Sequence, residues 1–153
     1  MATFTLTTFI AASPQRCFDL SLDLDFHQRS FGHTGERIVG GCPSGCIDLH
    51  QYVTWEARHF GIRQRMTVGI TAMDRPHRFE DRMLKGAFAD FHHLHTFESK
   101  EGGTEMRDVF TFRSPFGPLG ALVDAIFLKR YLRRLMELRN AALKTEAEKG
   151  GGA

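Results

Sequence analysis

Two histidines and two aspartates are the side chains in this sequence best placed to do chemistry, and their spacing decides whether they meet. His93 and His95 are two residues apart, and Phe91 and Phe97 continue the same alternation. On a strand, successive side chains point to opposite faces, so these four share one face. Met106, Asp108, Phe110 and Phe112 repeat the pattern on the next segment. If the turn after residues 78–85 centres near Ala87, Asp81 lies across from His93. If the following turn centres on Glu101-Gly102, His95 lies across from Asp108. Two imidazoles and two carboxylates would then gather among Phe and Met side chains. A one-residue slip would scatter them, because it moves every side chain to the other face.

Such a cluster fits three chemistries. As a polar network, with each His orienting an Asp inside an apolar shell, it is purely structural. Histidines that donate to a carbonyl or hydroxyl of an apolar molecule anchor a ligand. A His made more basic by Asp108 or Asp81 is an acid–base group for lyase or cyclase chemistry on an enolisable carbonyl. His-x-His with a nearby carboxylate also has the composition of a facial triad for non-haem iron. A barrel that uses such a pair does not normally end in a long packing helix, so no metal and no cofactor is expected. The expected ligand-binding set is Asp81, Phe91, His93, His95, Asp108, Phe110 and Phe112 from the sheet, with Phe127 from the last helix. The catalytic alternative uses His93, His95 and Asp108.

Other candidates carry less. Cys42-Pro43-Ser44-Gly45-Cys46 places two thiols on one loop, but no further Cys pair or nearby His completes a zinc site. Two free, reduced thiols are expected there. Glu56 and Arg58 alternate with Trp55 and Ala57 and read as a solvated, salt-bridged face. His50, His59 and His77 read as surface or strand-edge residues. The sequence has no glycine-rich phosphate loop and no Gly-x-Ser-x-Gly nucleophile elbow.

Strands must hold the cluster, and a helix must cover it. Residues 3–11 are β-branched and aromatic and predict a first strand. Ser13-Pro14 starts a short helix, with Ser as N-cap and Pro at the first helical position. Asp23 or Asp25 caps a second short helix that ends near Phe31-Gly32. Residues 36–39 predict a weak strand, and 40–45 a loop. Strand patterns at 52–60, 62–73, 78–85, 88–99 and 104–113 follow, separated by brief Gly- and Pro-containing breaks. Breaks so short imply antiparallel neighbours, since a parallel pair needs a crossover of a dozen or more residues.

Beyond Ser114-Pro115, one amphipathic helix is expected from about residue 116 to 144. Leu119, Leu122, Val123, Ile126, Phe127, Leu132, Leu135, Met136 and Leu143 form its apolar stripe. Lys129, Arg130, Arg133, Arg134 and Arg139 form a charged side that reads as a solvated face. A helix of this length needs a partner surface for its stripe, and the sheet is the large one available. Residues 1–147 are expected to be one domain and 148–153 a flexible tail.

Composition bounds the function. The 153 residues suffice for one real core. Fourteen Phe against one Trp and two Tyr supply apolar area without polar tips, which suits a greasy interior or pocket lining. A net charge of +2 argues against nucleic acid as a partner. No apolar run reaches the roughly 20 residues that span a bilayer, and the first residues do not read as a signal peptide. Three cysteines, an odd number, suit a reducing cytoplasm better than a disulfide framework.

This order of elements resembles the START/Bet v1-like superfamily, also called SRPBCC or polyketide cyclase/dehydrase-like. Ser13-Pro14 with Phe18 looks like its first helix start. Val53-Thr54-Trp55-Glu56-Ala57, Phe60-Gly61, Pro76-x-x-Phe79-x-Asp81 and Gly102-Gly103-Thr104-x-Met106-x-Asp108 look like its strand texts. Ser114-Pro115-x-Gly117 looks like its strand-to-helix junction. The resemblance spans nearly the whole chain and implies an α+β helix-grip fold, a curved antiparallel sheet of about seven strands around a long C-terminal helix, with a hydrophobic cavity between them. The expected function is binding of a small hydrophobic, lipid- or polyketide-like molecule. A cyclase/dehydratase-type enzyme and a protein-partner module with an apolar groove are the alternatives.

Overall fold

The computed structural model describes residues 1–115 and 117–149; inside the last helix the side chains of 123–125 are not among what it describes. Strand β1 (Ala2–Ile10) leads into helix α1 (Pro14–Leu22), which is capped by Ser13 accepting a hydrogen bond from the Arg16 amide at 3.1 Å. Asp23 then caps α2 (Leu24–Ser30) through the Phe26 amide. These caps satisfy backbone donors that the first helical turn leaves orphaned. Both helices bury one side, with Cys17, Phe18, Leu22 and Phe26 turned inward.

Six further strands follow: β2 (Arg37–Gly41), β3 (Tyr52–His59), β4 (Ile62–Asp74), β5 (Arg78–Lys85), β6 (Asp90–Lys100) and β7 (Gly103–Arg113). All neighbours are antiparallel, in the order β1-β7-β6-β5-β4-β3-β2. Gly40 and Gly41, expected in a loop, belong to β2, where a bulge after Ile38 shifts the pairing with β3. Two more register shifts interrupt the β4–β5 pair. Bulges bend and twist a ladder, and the sheet curves accordingly. Gly102 (φ +81°) carries the β6–β7 turn, and a Cβ on Gly103 would lie 2.2 Å from the Ile10 carbonyl oxygen, so only glycine permits that approach.

The last helix departs from expectation at both ends. It runs as α3 (Gly117–Val123), a π-helical segment Asp124–Leu128, and α4 (Lys129–Lys149). The expected start at Phe116 and the expected tail residues 150–153 lie outside the described residues, while Glu148 and Lys149 of that tail are helical. Glu148 accepts from the Ala11 amide at 3.0 Å and from Lys144 at 2.7 Å, which ties the helix end to the end of β1.

Only part of the expected apolar stripe packs. Leu143 and Ala147 are fully buried in the core with Cys17, Phe18 and Met106. Leu128, Leu132 and Met136 lie against a second cluster of Phe4, Leu6, Phe91, Phe110 and Phe112. Leu119, Leu122, Ile126 and Phe127 are exposed, Phe127 at 65%; the side chain of Val123 lies outside the described residues. Among the described residues no helix is long and apolar enough to cross a membrane.

Candidate functional site

The register places the chemistry-bearing residues together. Asp81 pairs with His93 across β5–β6, and His95 pairs with Asp108 across β6–β7. Phe91, His93, His95 and Phe97 are buried on one face of β6, and Met106, Asp108, Phe110 and Phe112 on the same face of β7. The hydrogen bonds run diagonally to the backbone pairs. His93 Nε2 donates to Asp108 Oδ1 at 2.9 Å, and His95 Nε2 donates to Asp81 Oδ2 at 2.8 Å. The two imidazoles stack with centroids 3.7 Å apart, and Phe79 stacks on the far side of His95 at 4.1 Å. His95 Nδ1 approaches Asp108 Oδ1 at 3.1 Å, at an angle too poor for a hydrogen bond, so that contact is electrostatic.

The helix completes the cluster with two residues that the sequence reading misplaced or passed over. Asn140 Nδ2 donates to Asp108 Oδ2 at 2.8 Å. Arg139 Nη1 donates to Asn140 Oδ1 at 2.9 Å and lies 3.5 Å from Asp108 Oδ1. Arg139 was expected on the solvated face, yet it is 3% exposed. A signal was present. Leu135, Arg139 and Leu143 are spaced four apart, so Arg139 sits in the middle of the buried stripe, with Asn140 between Met136 and Leu143 on its flank.

Opposite charges face one another in this cluster. Two carboxylates, Asp81 and Asp108, face one guanidinium and two imidazoles. Burial alone would raise Asp108, but the hydrogen bond from His93, the close approach of His95 and the charge of Arg139 hold it well below the usual carboxylate range. Burial would likewise raise Asp81, and the His95 hydrogen bond with the nearby positive charges lowers it. The two histidines move apart. Burial, then the neighbouring charge of His95, lowers His93 against the pull of Asp108. For His95, burial is outweighed by Asp108 and Asp81, and its pKa rises. Of the two, His95 is therefore the more readily protonated, and His93, lowered from 6.5, is the neutral base at neutral pH.

Above the cluster lies a cavity of about 340 Å³ between the concave sheet and the helix, at the small end of ligand-sized pockets. Most of its wall is apolar: Trp55, Val68, Ile70, Phe91, Phe110 and Met136 contribute. Asp81, His93, His95 and Arg139 form a polar end. Of the expected ligand set, Asp81, Phe91, His93, His95 and Phe110 reach this wall. Asp108 is fully buried behind the histidines, and Phe112, also fully buried, packs behind the wall against Phe88. Phe127 is displaced to solvent, and Leu128, Leu132 and Leu135 take its place.

Polar groups outside the cluster sort themselves differently from expectation. His59, read as a surface residue, is half-buried in the wall, with Nδ1 2.6 Å from Tyr131 Oη. His50 and His77 are exposed. Glu56 is salt-bridged as expected but not solvated. It is 4% exposed beneath Arg37, Arg65 and Arg63 at 2.7, 2.8 and 3.7 Å, and hydrogen bonds from Arg37 and Arg65 lower its pKa to about 2. Cys42 and Cys46 direct their sulfurs to the Ser44 and Asp19 carbonyl oxygens. Asp81, His93 and His95 each bring a donor atom within 4.8 Å of the others, the ligand types of a cation site. Asp81 Oδ2 already accepts from His95 Nε2, so that hydrogen bond would have to break and its proton leave before a cation could bind.

Stability should therefore fall on acidification. Asp108, Asp81 and Glu56 have depressed folded values, so their contribution is complete above the unfolded values of 3.8 and 4.5 and is lost below them. His93 acts in the same direction from 6.5 downward, because the unfolded chain takes a proton there that the folded one refuses. His95 acts oppositely: its stabilisation is present below 6.5 and is lost as pH rises through its folded value. Urea midpoints measured from neutral pH down to about pH 3 should decline, most steeply through the carboxylate range. A flat profile would contradict the buried ionised network.

The family model described as polyketide cyclase / dehydrase and lipid transport matches residues 1–148. No curated protein matches the chain. Among solved structures, the protein TTHA0849 from Thermus thermophilus is similar at 16% identity and a TM-score of 0.79, covering 99% of this chain and 100% of that one. The di-domain ARO/CYC StfQ from the steffimycin biosynthetic pathway is similar at 14% identity and TM-score 0.78, over 99% of this chain and 52% of that one. A START superfamily protein from Mycobacterium smegmatis shares 12% identity, with TM-score 0.72 and coverage of 97% and 99%. At these identities the likeness is one of fold.

Proposed function

Since the chain belongs to the polyketide cyclase / dehydrase and lipid transport family, we propose that its cavity binds a small, mainly apolar molecule whose polar group is held at the His93–His95 end. The observation that carries this reading is the wall itself. It is apolar over most of its area and carries at one end a buried cluster of paired carboxylates and imidazoles, the arrangement by which pockets bury a greasy body and orient it by a few polar contacts. In this reading Asp81, Phe91, His93, His95 and Phe110 touch ligand, while Asp108 fixes the histidines from behind. The three free thiols support a reducing, cytoplasmic setting.

One observation favours a second reading, acid–base catalysis of a cyclase or dehydratase type. Environments that push two neighbouring titratable groups in opposite directions supply an acid and a base at one pH, as His95 and His93 do. StfQ, described as an ARO/CYC, has the same fold. Native mass spectrometry of the purified protein separates the readings from an empty cavity. A retained, non-covalent mass released on denaturation is expected for the binding role. No retained mass, together with no thermal shift on adding fatty acids or fused-ring aromatics, would overturn it. A retained molecule that is converted on incubation would favour the catalytic reading.

A further inference from the structure

At the polar end of the cavity two imidazole nitrogens make no hydrogen bond among the described residues: His95 Nδ1, which lies against Asp108, and His93 Nδ1. Asp108 is an ionised carboxylate and can only accept, so the 2.9 Å contact requires His93 Nε2 to carry the hydrogen. Asp108 has no need of a proton of its own, because Asn140 donates to its other oxygen. The orientation of that amide is fixed in turn: Arg139 is donor-only, so Asn140 must present Oδ1 to it and Nδ2 to Asp108. Arg139 and the more basic His95 stand ahead of His93 as the cationic partners of Asp108 and Asp81. A further proton on His93 would put two imidazoliums face to face at 3.7 Å with no carboxylate to spare. His93 is thus neutral, with its single hydrogen on Nε2 and a bare lone pair on Nδ1. That nitrogen has no partner among the described residues, and its ring lines the cavity.

We propose that His93 Nδ1 is a hydrogen-bond acceptor that makes the cavity selective for apolar molecules carrying a hydroxyl donor, and against otherwise identical molecules whose oxygen can only accept. This rests on the binding reading above and goes further in naming the ligand's polar group. A lone buried acceptor gains a bond from a hydroxyl, and facing an ether it stays unsatisfied and adds lone-pair repulsion. A site built to bond a hydroxyl rejects the analogue lacking it far more strongly than an apolar pocket rejects a change in size.

Trp55, the sole tryptophan, lies in the wall and reports occupancy by its fluorescence. The 153-residue chain is titrated with naphthalene, β-naphthol and the methyl ether of β-naphthol. We expect β-naphthol to bind about 10-fold or more tightly than the other two. His93→Phe should remove the preference while still binding naphthalene. His93→Gln, which can donate to Asp108 through its amide nitrogen and turn its oxygen to the cavity, should retain it, and it serves as the test if the Phe variant does not fold. Equal binding of naphthol and ether by the unaltered protein overturns the acceptor assignment and leaves the binding reading standing. Binding of none of the three, with Trp55 fluorescence unchanged throughout, overturns the proposal for such ligands, and together with no retained mass and no thermal shift from fatty acids it overturns the binding reading itself. Preference for the ether would show that His93 presents a donor, which also overturns the proposal.

Discussion

Asp108→Ala should remove about 3–5 kcal/mol of stability, the usual cost of deleting one partner from a buried ionic cluster. The reason is what it strands. His93 Nε2 and Asn140 Nδ2 lose their acceptor, and the Arg139 charge and the basic His95 are left with Asp81 as the one carboxylate of the cluster. None of these groups can turn to water, since His93, His95, Arg139 and Asn140 are each 5% exposed or less. Urea unfolding at neutral pH measures the loss directly. Removing the charges as a set, with Asp108→Leu and Arg139→Met together, should cost less than the single change, because it leaves fewer unpaired charges behind. A loss of under about 1 kcal/mol for Asp108→Ala would mean that the cluster is wet and the pairing loose.

Phe110→Ala is the second large effect, expected at about 3–5 kcal/mol for a buried phenylalanine. The ring is 1% exposed and, on neighbouring strands, touches three aromatic rings: Phe4 stacked at 5.2 Å, Phe91 edge-on at 4.5 Å and His93 at 5.1 Å. Those neighbours sit on two other strands, β1 and β6, and cannot collapse together into the space left behind. Because Phe110 is also part of the cavity wall, the same substitution should enlarge the chamber and admit broader ring systems. Stability is read by denaturant unfolding and size preference by Trp55 fluorescence. A variant that keeps its stability and its size limit would show that the ring is not part of the wall.

Most of the sheet, and half of the site, could be read from the chain. Period-two alternation at His93, His95, Asp108 and Phe110 placed them on one face, and short turns fixed the register that joins Asp81 to them. That logic is local, running over a few residues and one turn at a time. The helix was harder, because where a helix meets a sheet depends on curvature that no single segment encodes. Bulges on β2 and in the β4–β5 pair set that curvature. Hence Leu119 and Phe127 were expected to pack and do not, while Arg139, charged and so assigned to solvent, turns inward to meet Asp108. Composition misled there. A cation within a buried stripe looks like an error until the carboxylate that needs it is known.

The last helix is held unequally along its length, and this bears on how quickly a guest could come and go. Residues 129–149 are pinned by Arg139, Asn140, Leu143 and Glu148. The stretch 117–128 holds a π-helical turn and four exposed apolar side chains. Amide hydrogens of the pinned part should exchange with solvent through rare, near-global opening, whereas those of the earlier stretch exchange through cheap local opening. Leu128 and the adjoining Ser114 line the chamber. Residence time would then follow the local event, and substitutions that weaken the molecule elsewhere should leave it almost untouched.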